Sequence, residues 1–260
     1  MNILFIGDIF STQGREMVER YLPKLKEKYN IDLVIANAEN ATHGKGLIKK
    51  QYDELLFNGI SIMTMGNHTF SKKEILNYID EADRLVVPYN QPKALPGIGS
   101  RVFDIKGKKV RVTNLLGVTF MDPKTSNPFE AINEILENDT SDIHIVDFHA
   151  EATSEKVSLG YYLDGKVTAV LGTHTHIQTA DERVLDQGTG YITDVGMTGP
   201  YTSVIGCDKD TIIQRNIDGL MQPFTVAEGE GQLLAVLLKV NNAGKCEDIQ
   251  RICIDPKHPL

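Results

Sequence analysis

The sequence has few of the features that mark a membrane, secreted or nucleic-acid-coating protein. Its three cysteines form no CxxC pair and no even set for disulfides, which indicates reduced thiols and a cytoplasmic location. No stretch approaches the roughly 18 apolar residues of a membrane helix, and Asp8 interrupts the first apolar run with no basic segment before it. The formal net charge of -8 lacks the basic excess that a long nucleic-acid footprint needs. We therefore expect a soluble cytoplasmic protein.

The length and the patterning favour one domain. With 260 residues, a 41% apolar fraction and no repeat or clear linker, we predict that residues 1–260 form a single domain. The first third alternates apolar runs with amphipathic patterns, which predicts a parallel sheet with helical crossovers. The predicted strands are 2–6, 32–36, 60–65, 101–105, 109–116, 143–148, 167–171, 190–193, 225–226, 232–240 and 247–254, and the predicted helices are 14–29, 49–57, 71–80, 128–137 and one near 209–216. The helix 71–80 is expected to begin with a capping box of Ser71 and Glu74.

Polar side chains recur where predicted strands end. The segment Gly172-Thr173-His174-Thr175-His176 follows the apolar run 167–171, and histidine is the commonest side-chain metal ligand. Open α/β folds bind ligands at such strand ends, so a metal centre collected from successive strands is the simplest interpretation. The candidate donors at these positions are Asp8, Glu39, Asn40, Asn67, His149, His174 and His176.

The number and type of these donors indicate the chemistry. A structural zinc takes four ligands and prefers cysteine or histidine. Seven mixed oxygen and nitrogen donors, among which the carboxylate of Glu39 can bridge, suit two cations about 3.5–4 Å apart. Such a pair binds the oxygens of a phosphoryl group, which points to phosphoester hydrolysis. His68 projects differently from its neighbour Asn67 and is expected to be free to act as an acid.

The remaining histidines and two basic residues lie outside the donor motifs. His43 and Lys45, on the loop after Glu39-Asn40, are candidate substrate contacts, with an ordinary solvated loop as the alternative. Arg15 is a further candidate for a phosphate or base contact. We interpret His144, inside a predicted strand, as a structural histidine and His258, in the tail, as solvated.

The order of the donor motifs resembles the calcineurin-like metallophosphoesterase superfamily, and more narrowly its YmdB-type branch of bacterial phosphodiesterases. The segments that carry the resemblance are 6–9, 38–41, 43–46, 64–69, 147–156, 172–176 and 193–200, which span most of the chain. The resemblance implies a four-layer α/β/β/α sandwich with two mixed β-sheets. It also implies two metal ions, most often iron or manganese, and hydrolysis of 2',3'-cyclic nucleotides or related small phosphodiesters.

The resemblance also implies a role for each donor. Asp8, Glu39, Asn40 and His176 would hold one ion, and Glu39, Asn67, His149 and His174 would hold the other, so that Glu39 bridges the two. A metal-bridging hydroxide would attack phosphorus, and His68 would protonate the departing oxygen. The chain departs from the wider superfamily where Phe10 stands at the histidine of an Asp-x-His motif and Glu39 stands at a usual aspartate. Asn40 is the expected substitute for the lost histidine.

Three alternatives remain open at this point. The same metal pair would hydrolyse phosphomonoesters. An amidohydrolase also uses His-x-His, although there the pair usually opens the chain, whereas His174 and His176 follow four other donor fragments. A regulatory protein with a metal site and weak catalysis is the third alternative. The sequence does not fix the oligomeric state, so a homo-oligomer is also open.

Overall fold

The computed structural model describes residues 1–121, 124–220 and 223–260. The strands are β1 Asn2–Ile6, β2 Asp8–Ile9, β3 Leu33–Asn37, β4 Ile62–Thr64, β5 Leu85–Val86, β6 Ser100–Ile105, β7 Lys108–Leu116, β8 Ile143–His149, β9 Ala169–Thr173, β10 Arg183–Val184, β11 Gly190–Ile192, β12 Met197–Pro200, β13 Gly231–Val240 and β14 Cys246–Ile254. The helices are α1 Ser11–Tyr29, α2 Lys49–Phe57, α3 Pro128–Leu136, α4 Thr153–Tyr162 and α5 Lys209–Asp218, with a short 3-10 helix at Lys73–Asn77.

The strands form two mixed sheets. In the first, the order is β2-β12-β13-β1-β3-β4-β5, with β14 also paired to β13. Its strands β1, β3, β4 and β5 run parallel, and β13 runs antiparallel to β1. In the second, the order is β10-β11-β9-β8-β7-β6, where β7, β8, β9 and β11 are parallel and both edge pairs are antiparallel.

Alternation along the strands divides the apolar side chains into three layers of core. In β1, Ile3 and Phe5 face the second sheet, whereas Leu4 and Ile6 pack against α1 and α2. This alternation is the period of two expected for a strand buried on both faces. The outer face of the second sheet packs against α3 and α4, where Phe148 and Tyr191 are the largest buried side chains. The layers therefore run α/β/β/α, and the predicted sandwich with two mixed sheets is confirmed.

Most predicted elements lie within a few residues of the observed ones. The 2–6 strand and the 49–57 helix have the predicted bounds, and the predicted strands 101–105 and 109–116 correspond to β6 and β7, which pair antiparallel. The helix predicted at 71–80 is wrong: only the 3-10 helix Lys73–Asn77 forms, and its first residue has no side-chain cap. The predicted strand 225–226 is reduced to one isolated bridge between Cys207 and Val226.

The failed helix has a tertiary cause. The Ser71 hydroxyl lies 3.3 Å from Nδ1 of His68. The Glu74 carboxylate accepts a hydrogen bond of 3.1 Å from the backbone N–H of Lys49, at the start of α2. The Ser71 hydroxyl is thus used by a nearby residue of the same turn and the Glu74 carboxylate by α2, so neither side chain caps a helix and a tertiary contact outweighs the local signal at Glu74.

Among the described residues, no helix combines the length and the apolar character needed to span a membrane.

Candidate metal centre

The strand ends bring the predicted donors together at one edge of the sandwich. From the first sheet, β1 leads to Asp8, β3 to Glu39 and Asn40, and β4 to Asn67. From the second sheet, β8 ends at His149, and β9 leads to His174 and His176. His149 pairs in register with Thr173, the last residue of β9. The parallel strands of both sheets therefore end at this edge, as expected for open α/β sheets.

One half of the cluster is built around the ring of His149. Its Nε2 lies 2.9 Å from Asn67 Oδ1, 3.0 Å from His174 Nδ1 and 3.2 Å from Glu39 Oε1. Donor atoms of Glu39, His149 and His174 all lie within 4.8 Å of one another. Gly66 makes room for this arrangement, because a Cβ there would come within 2.4 Å of Glu39 Oε2 and 2.5 Å of the His149 ring.

The other half is built around Asp8 and His176. The Nε2 atom of His176 lies 3.8 Å from Asp8 Oδ1 and 3.1 Å from the Asn40 amide nitrogen. The same amide nitrogen lies 3.3 Å from Glu39 Oε1, which connects the two halves. A 180° rotation of the Asn40 amide would present its oxygen at this position instead. All seven predicted donors are therefore found in one cluster.

The contacts within the cluster fit a bound cation better than a hydrogen-bond network. A ring nitrogen carries either one hydrogen or one lone pair, so Nε2 of His149 cannot bond all three of its close neighbours. Within the described residues, Asp8 Oδ1 is fully buried and has no hydrogen-bond partner. Ligands held about 2.1 Å from one transition metal lie about 3.0–3.4 Å from each other, close to the spacings of 2.9 to 3.2 Å around His149 Nε2. The cluster can thus hold a divalent metal.

The charges in the cluster shift the pKa values strongly. Burial raises the pKa of Asp8 to about 6, against the opposing influence of His176 and His149. Burial also favours neutral Glu39, but His149 and His68 outweigh it and lower the pKa of Glu39 to about 2. Burial, followed by His149, lowers the pKa of His174 to about 3. Such opposed shifts within a few ångströms are typical of functional sites.

The imidazole of His149 titrates in the opposite sense to that of His174. Burial lowers the pKa of His149, yet the carboxylates of Glu39, Asp8 and Asp147 outweigh it and raise this pKa to about 9. Binding of a cation would favour the deprotonated form of every donor, so it would release this proton.

His68 lines the cavity above the cluster and is bound to Glu39 through its backbone. The His68 N–H donates to Glu39 Oε2 at 2.8 Å, while its ring Nδ1 faces Ser71. Burial is the largest influence on His68 and lowers its pKa, with Glu39 opposing. An acid role therefore requires the negative charge of a bound phosphoester to raise the pKa again.

The remaining predicted residues divide between the cavity and the structure around it. His43 and Lys45 line the same cavity as His68. Arg15 is not among its described lining residues, because its guanidinium binds Glu54 at 2.8 Å and the carbonyl of Ala41 at 2.6 Å.

The two other histidines behave as predicted. His144 is buried, with Nε2 2.9 Å from Thr113 Oγ1 and Nδ1 2.7 Å from Asp139 Oδ2, which agrees with a structural role. His258 is exposed beside Asp255.

A buried polar network behind His149 was missed by the sequence analysis. The Thr173 hydroxyl lies 2.9 Å from His149 Nδ1 and donates to Asp147 Oδ1 at 2.7 Å. Asp147 also accepts from Thr64 and from Asn37, which in turn accepts the N–H of Glu39. This network fixes the His149 ring so that Nε2 faces the cluster, the arrangement usual for ligating histidines. The available signal was a carboxylate, Asp147, inside a mainly apolar strand.

A buried ion pair holds the segment that carries His174 and His176. Lys156 Nζ donates to Asp194 Oδ2 and to the Thr173 carbonyl, both at 2.7 Å. Asp194 also accepts the N–H of Thr175 at 3.0 Å, between the two histidines. Those histidines adopt φ of 105° and 67°, a region that is unfavourable for residues other than glycine. The ion pair therefore stabilises a strained backbone that aims both rings.

Substitution of Lys156 with methionine should destabilise the protein by about 3–5 kcal/mol, because it leaves the Asp194 carboxylate buried and uncompensated. Urea unfolding would measure the change. Lys239→Met is the matched control, since Lys239 pairs with Asp248 at 2.9 Å but both side chains are about half exposed. The control should change the free energy of unfolding by less than about 1 kcal/mol. Equal effects in the two variants would contradict the role given to the buried pair.

The cluster forms the floor of a cavity of about 510 Å³. Its lining includes Glu39, Asn40, His68, His174 and His176. This volume lies in the range of small-molecule binding sites. Polar donors on the floor and an open mouth suit a small anionic substrate.

The four-layer sandwich with this cluster at the strand ends defines the class of the protein, a metallophosphoesterase. The chain belongs to the family of YmdB-like proteins, whose model matches residues 4–252.

Curated and solved relatives agree with this assignment. A 2',3'-cyclic-nucleotide 2'-phosphodiesterase of Bacillus subtilis (strain 168) is 48% identical over 261 residues, which cover 99% of this chain and 98% of that protein. The solved structure of a novel phosphatase from Mycoplasma pneumoniae is 42% identical, with a TM-score of 0.94 over 99% of this chain and 95% of that one. A 5'-nucleotidase precursor from Thermus thermophilus, 12% identical, shares the fold with a TM-score of 0.54 over 100% of this chain and 56% of that one. The expected phosphoesterase class is confirmed, and the chain is an enzyme of that class.

Proposed function

We propose that this protein is a dinuclear metal-dependent phosphodiesterase that hydrolyses 2',3'-cyclic nucleotides at the 2' ester bond. The single observation that carries the proposal is the convergence of Glu39 with donors from both halves of the cluster, at 3.2 Å from His149 and 3.3 Å from Asn40. The substrate class follows the activity for which the Bacillus subtilis relative is named, and that relative is 48% identical along almost its whole length.

The proposed ligand sets are those of the two halves. Asp8, Asn40 and His176 would hold one ion, Asn67, His149 and His174 would hold the other, and the carboxylate of Glu39 would be shared between the two sets. When bound, two such ions activate a water molecule and supply positive charge that stabilises the negative charge on the phosphoryl oxygens. The mixture of carboxylate, amide and imidazole donors suits iron or manganese.

The protein's own groups orient the metal-binding side chains and protonate the leaving group. Asp147 and Thr173 hold the His149 ring, and the Lys156–Asp194 pair holds the backbone of the histidine segment. His68, which lines the cavity, donates its proton to the departing 2'-oxygen. The product would be a nucleoside 3'-monophosphate with a free 2'-hydroxyl.

Location and organisation complete the proposal. We propose one domain over residues 1–260, because one apolar cluster contains side chains of both sheets, Phe5 and Ile145 among them. A cytoplasmic location is supported by the free thiols of Cys207, Cys246 and Cys253.

Anaerobic purification, elemental analysis and a substrate panel test this function. About two equivalents of iron or manganese per chain are expected, with 2',3'-cyclic nucleotides turned over in preference to 3',5'-cyclic nucleotides and monoesters. Faster turnover of monoesters would favour the phosphomonoesterase alternative. Turnover of carboxamides would favour an amidohydrolase, and one equivalent of metal would contradict the dinuclear site.

A further inference from the structure

One side of the metal-centre cavity is apolar and has no role in the proposed hydrolysis. This apolar wall comprises Phe10, Ile205, Phe224 and Val226. The metal donors and His68 account for the phosphate and the bond that breaks, but the cavity of about 510 Å³ is larger than a phosphate requires. The apolar wall therefore faces another part of the substrate.

The apolar wall is tied directly to the metal centre. The carbonyl of Ile205 accepts a hydrogen bond of 2.9 Å from His176 Nδ1, which leaves Nε2 of that ring toward Asp8. The ring of Phe10 makes an edge contact with His176, with the ring centroids 5.6 Å apart. Whatever packs on this wall is thus held next to the reacting group.

Hydrogen bonds fix the outer part of the apolar wall. The N–H of Asp208 donates to the Thr225 carbonyl at 2.9 Å, and the N–H of Ala227 donates to the Gly206 carbonyl at 3.0 Å. A β-bridge joins Cys207 to Val226. These bonds join the 204–208 segment to the 225–227 segment, so Phe224 is anchored at the mouth of the cavity.

The Phe224 ring is exposed to solvent and held in place by neighbouring side chains. It is 55% exposed, unlike the buried rings of the core. Lys45 Nζ and Arg215 Cζ each lie 5.1 Å from its centroid, one from the loop after Asn40 and one from α5. Cation–π contacts of this kind orient a ring without burying it. An anchored, exposed aromatic at the mouth of a nucleotide cavity has the properties of a stacking surface for a base.

We propose that Phe224 is the residue that recognises the nucleobase, by stacking against it while the metal centre holds the cyclic phosphate. The inference rests on the proposed function, since it assigns one part of that substrate. The side chains of the apolar wall carry no hydrogen-bonding groups, so recognition depends on the area of the stacked rings. Purine nucleotides bind more tightly than pyrimidine nucleotides, and the difference is in KM.

The test compares a nucleotide with its baseless analogue. Phe224→Ala should raise KM for adenosine 2',3'-cyclic phosphate about 5- to 150-fold, the range for loss of one base–aromatic stack. Its kcat should stay within about twofold, and KM for methyl ribofuranoside 2',3'-cyclic phosphate should not change. Phe57→Ala is the matched control, because Phe57 is 91% exposed and does not belong to the described cavity lining. Equal changes for both substrates, or no change, would overturn the inference.

A second variant gives a binding signal that is independent of turnover. The sequence has no tryptophan, so Phe224→Trp places a unique fluorophore in the ring position. Adenosine 3'-monophosphate should quench its fluorescence, and ribose phosphate should not. If the wild-type enzyme hydrolysed neither cyclic phosphate, the proposed function would be wrong, while the quenching would still decide whether a base stacks at this position. Absence of quenching by the adenine compound would refute base stacking.

Discussion

Replacement of Glu39 by glutamine should reduce kcat on a 2',3'-cyclic nucleotide by at least about 10³-fold, the order expected when a group central to transition-state stabilisation is lost. The carboxylate of Glu39 contacts both halves of the cluster, and it is the proposed bridge. An amide oxygen offers lone pairs but no negative charge, so it cannot replace a bridging carboxylate. Metal content should fall together with activity, which elemental analysis and single-turnover kinetics would measure.

Glu155→Gln is the control, because it shows what is lost when a glutamate that accepts backbone hydrogen bonds, as Glu39 does from the His68 N–H, loses its charge outside the cluster. Glu155 accepts two backbone N–H groups of the 118–119 loop, at 3.0 and 3.2 Å, but has no contact with the cluster. Glu155→Gln should retain activity within about threefold and keep its metal. Normal turnover by Glu39→Gln would contradict the dinuclear scheme. A biological effect that persisted in inactive Glu39→Gln would favour the regulatory alternative.

Replacement of His68 by alanine should lower kcat by about 10²–10⁴-fold, the usual contribution of a positioned acid, while metal content remains normal. His68 lines the cavity, and it contacts Glu39 only through its backbone N–H, which alanine retains. The 2'-oxygen of ribose is a poor leaving group without a proton, so the loss should be large for the natural type of substrate.

The leaving group provides an internal control for this variant. Bis(p-nitrophenyl) phosphate releases a phenolate that needs no proton, so its turnover should be nearly the same in His68→Ala and in the wild type. Equal losses on both substrates would contradict the acid role. Loss of metal from the variant would identify His68 as a ligand instead.

The sequence predicted the cluster because each candidate donor lies where an apolar run ends. Asp8, Glu39 and His174 each follow a buried strand. Such strands are recognised from neighbouring residues alone, by a period of two or by a continuous apolar run. Parallel strands bring the donors of each sheet to one edge of that sheet, and the packing of the two sheets places these edges together. The parallel strands of the first third were predicted on the same grounds, whereas the four-layer sandwich was implied by the motif resemblance alone.

The parts that were missed depend on contacts between distant segments. The side chain of Asn37, for example, donates to Asp147, 110 positions later. Helix α4 was not predicted, since only Lys156, Leu159 and Gly160 are buried along it and the periodic signal is weak. Phe224 lies in an irregular segment, and its place at the cavity follows from the 204–208 segment against which the chain packs. No local pattern encodes such pairings.

The donors come from two different sheets, and this has a consequence for the sandwich as a whole. Asp8 and Glu39 follow strands of one sheet, whereas His149 ends a strand of the other sheet and His174 follows the next strand of it. Ions held between these donors would join the two sheets at one end of their interface. Along the rest of the interface, the apolar cluster that contains Phe5 and Ile145 holds the sheets together. The free energy of ion binding would then add to the stability of the packing between the two sheets. Removal of the metal would therefore lower the free energy of unfolding as well as the activity.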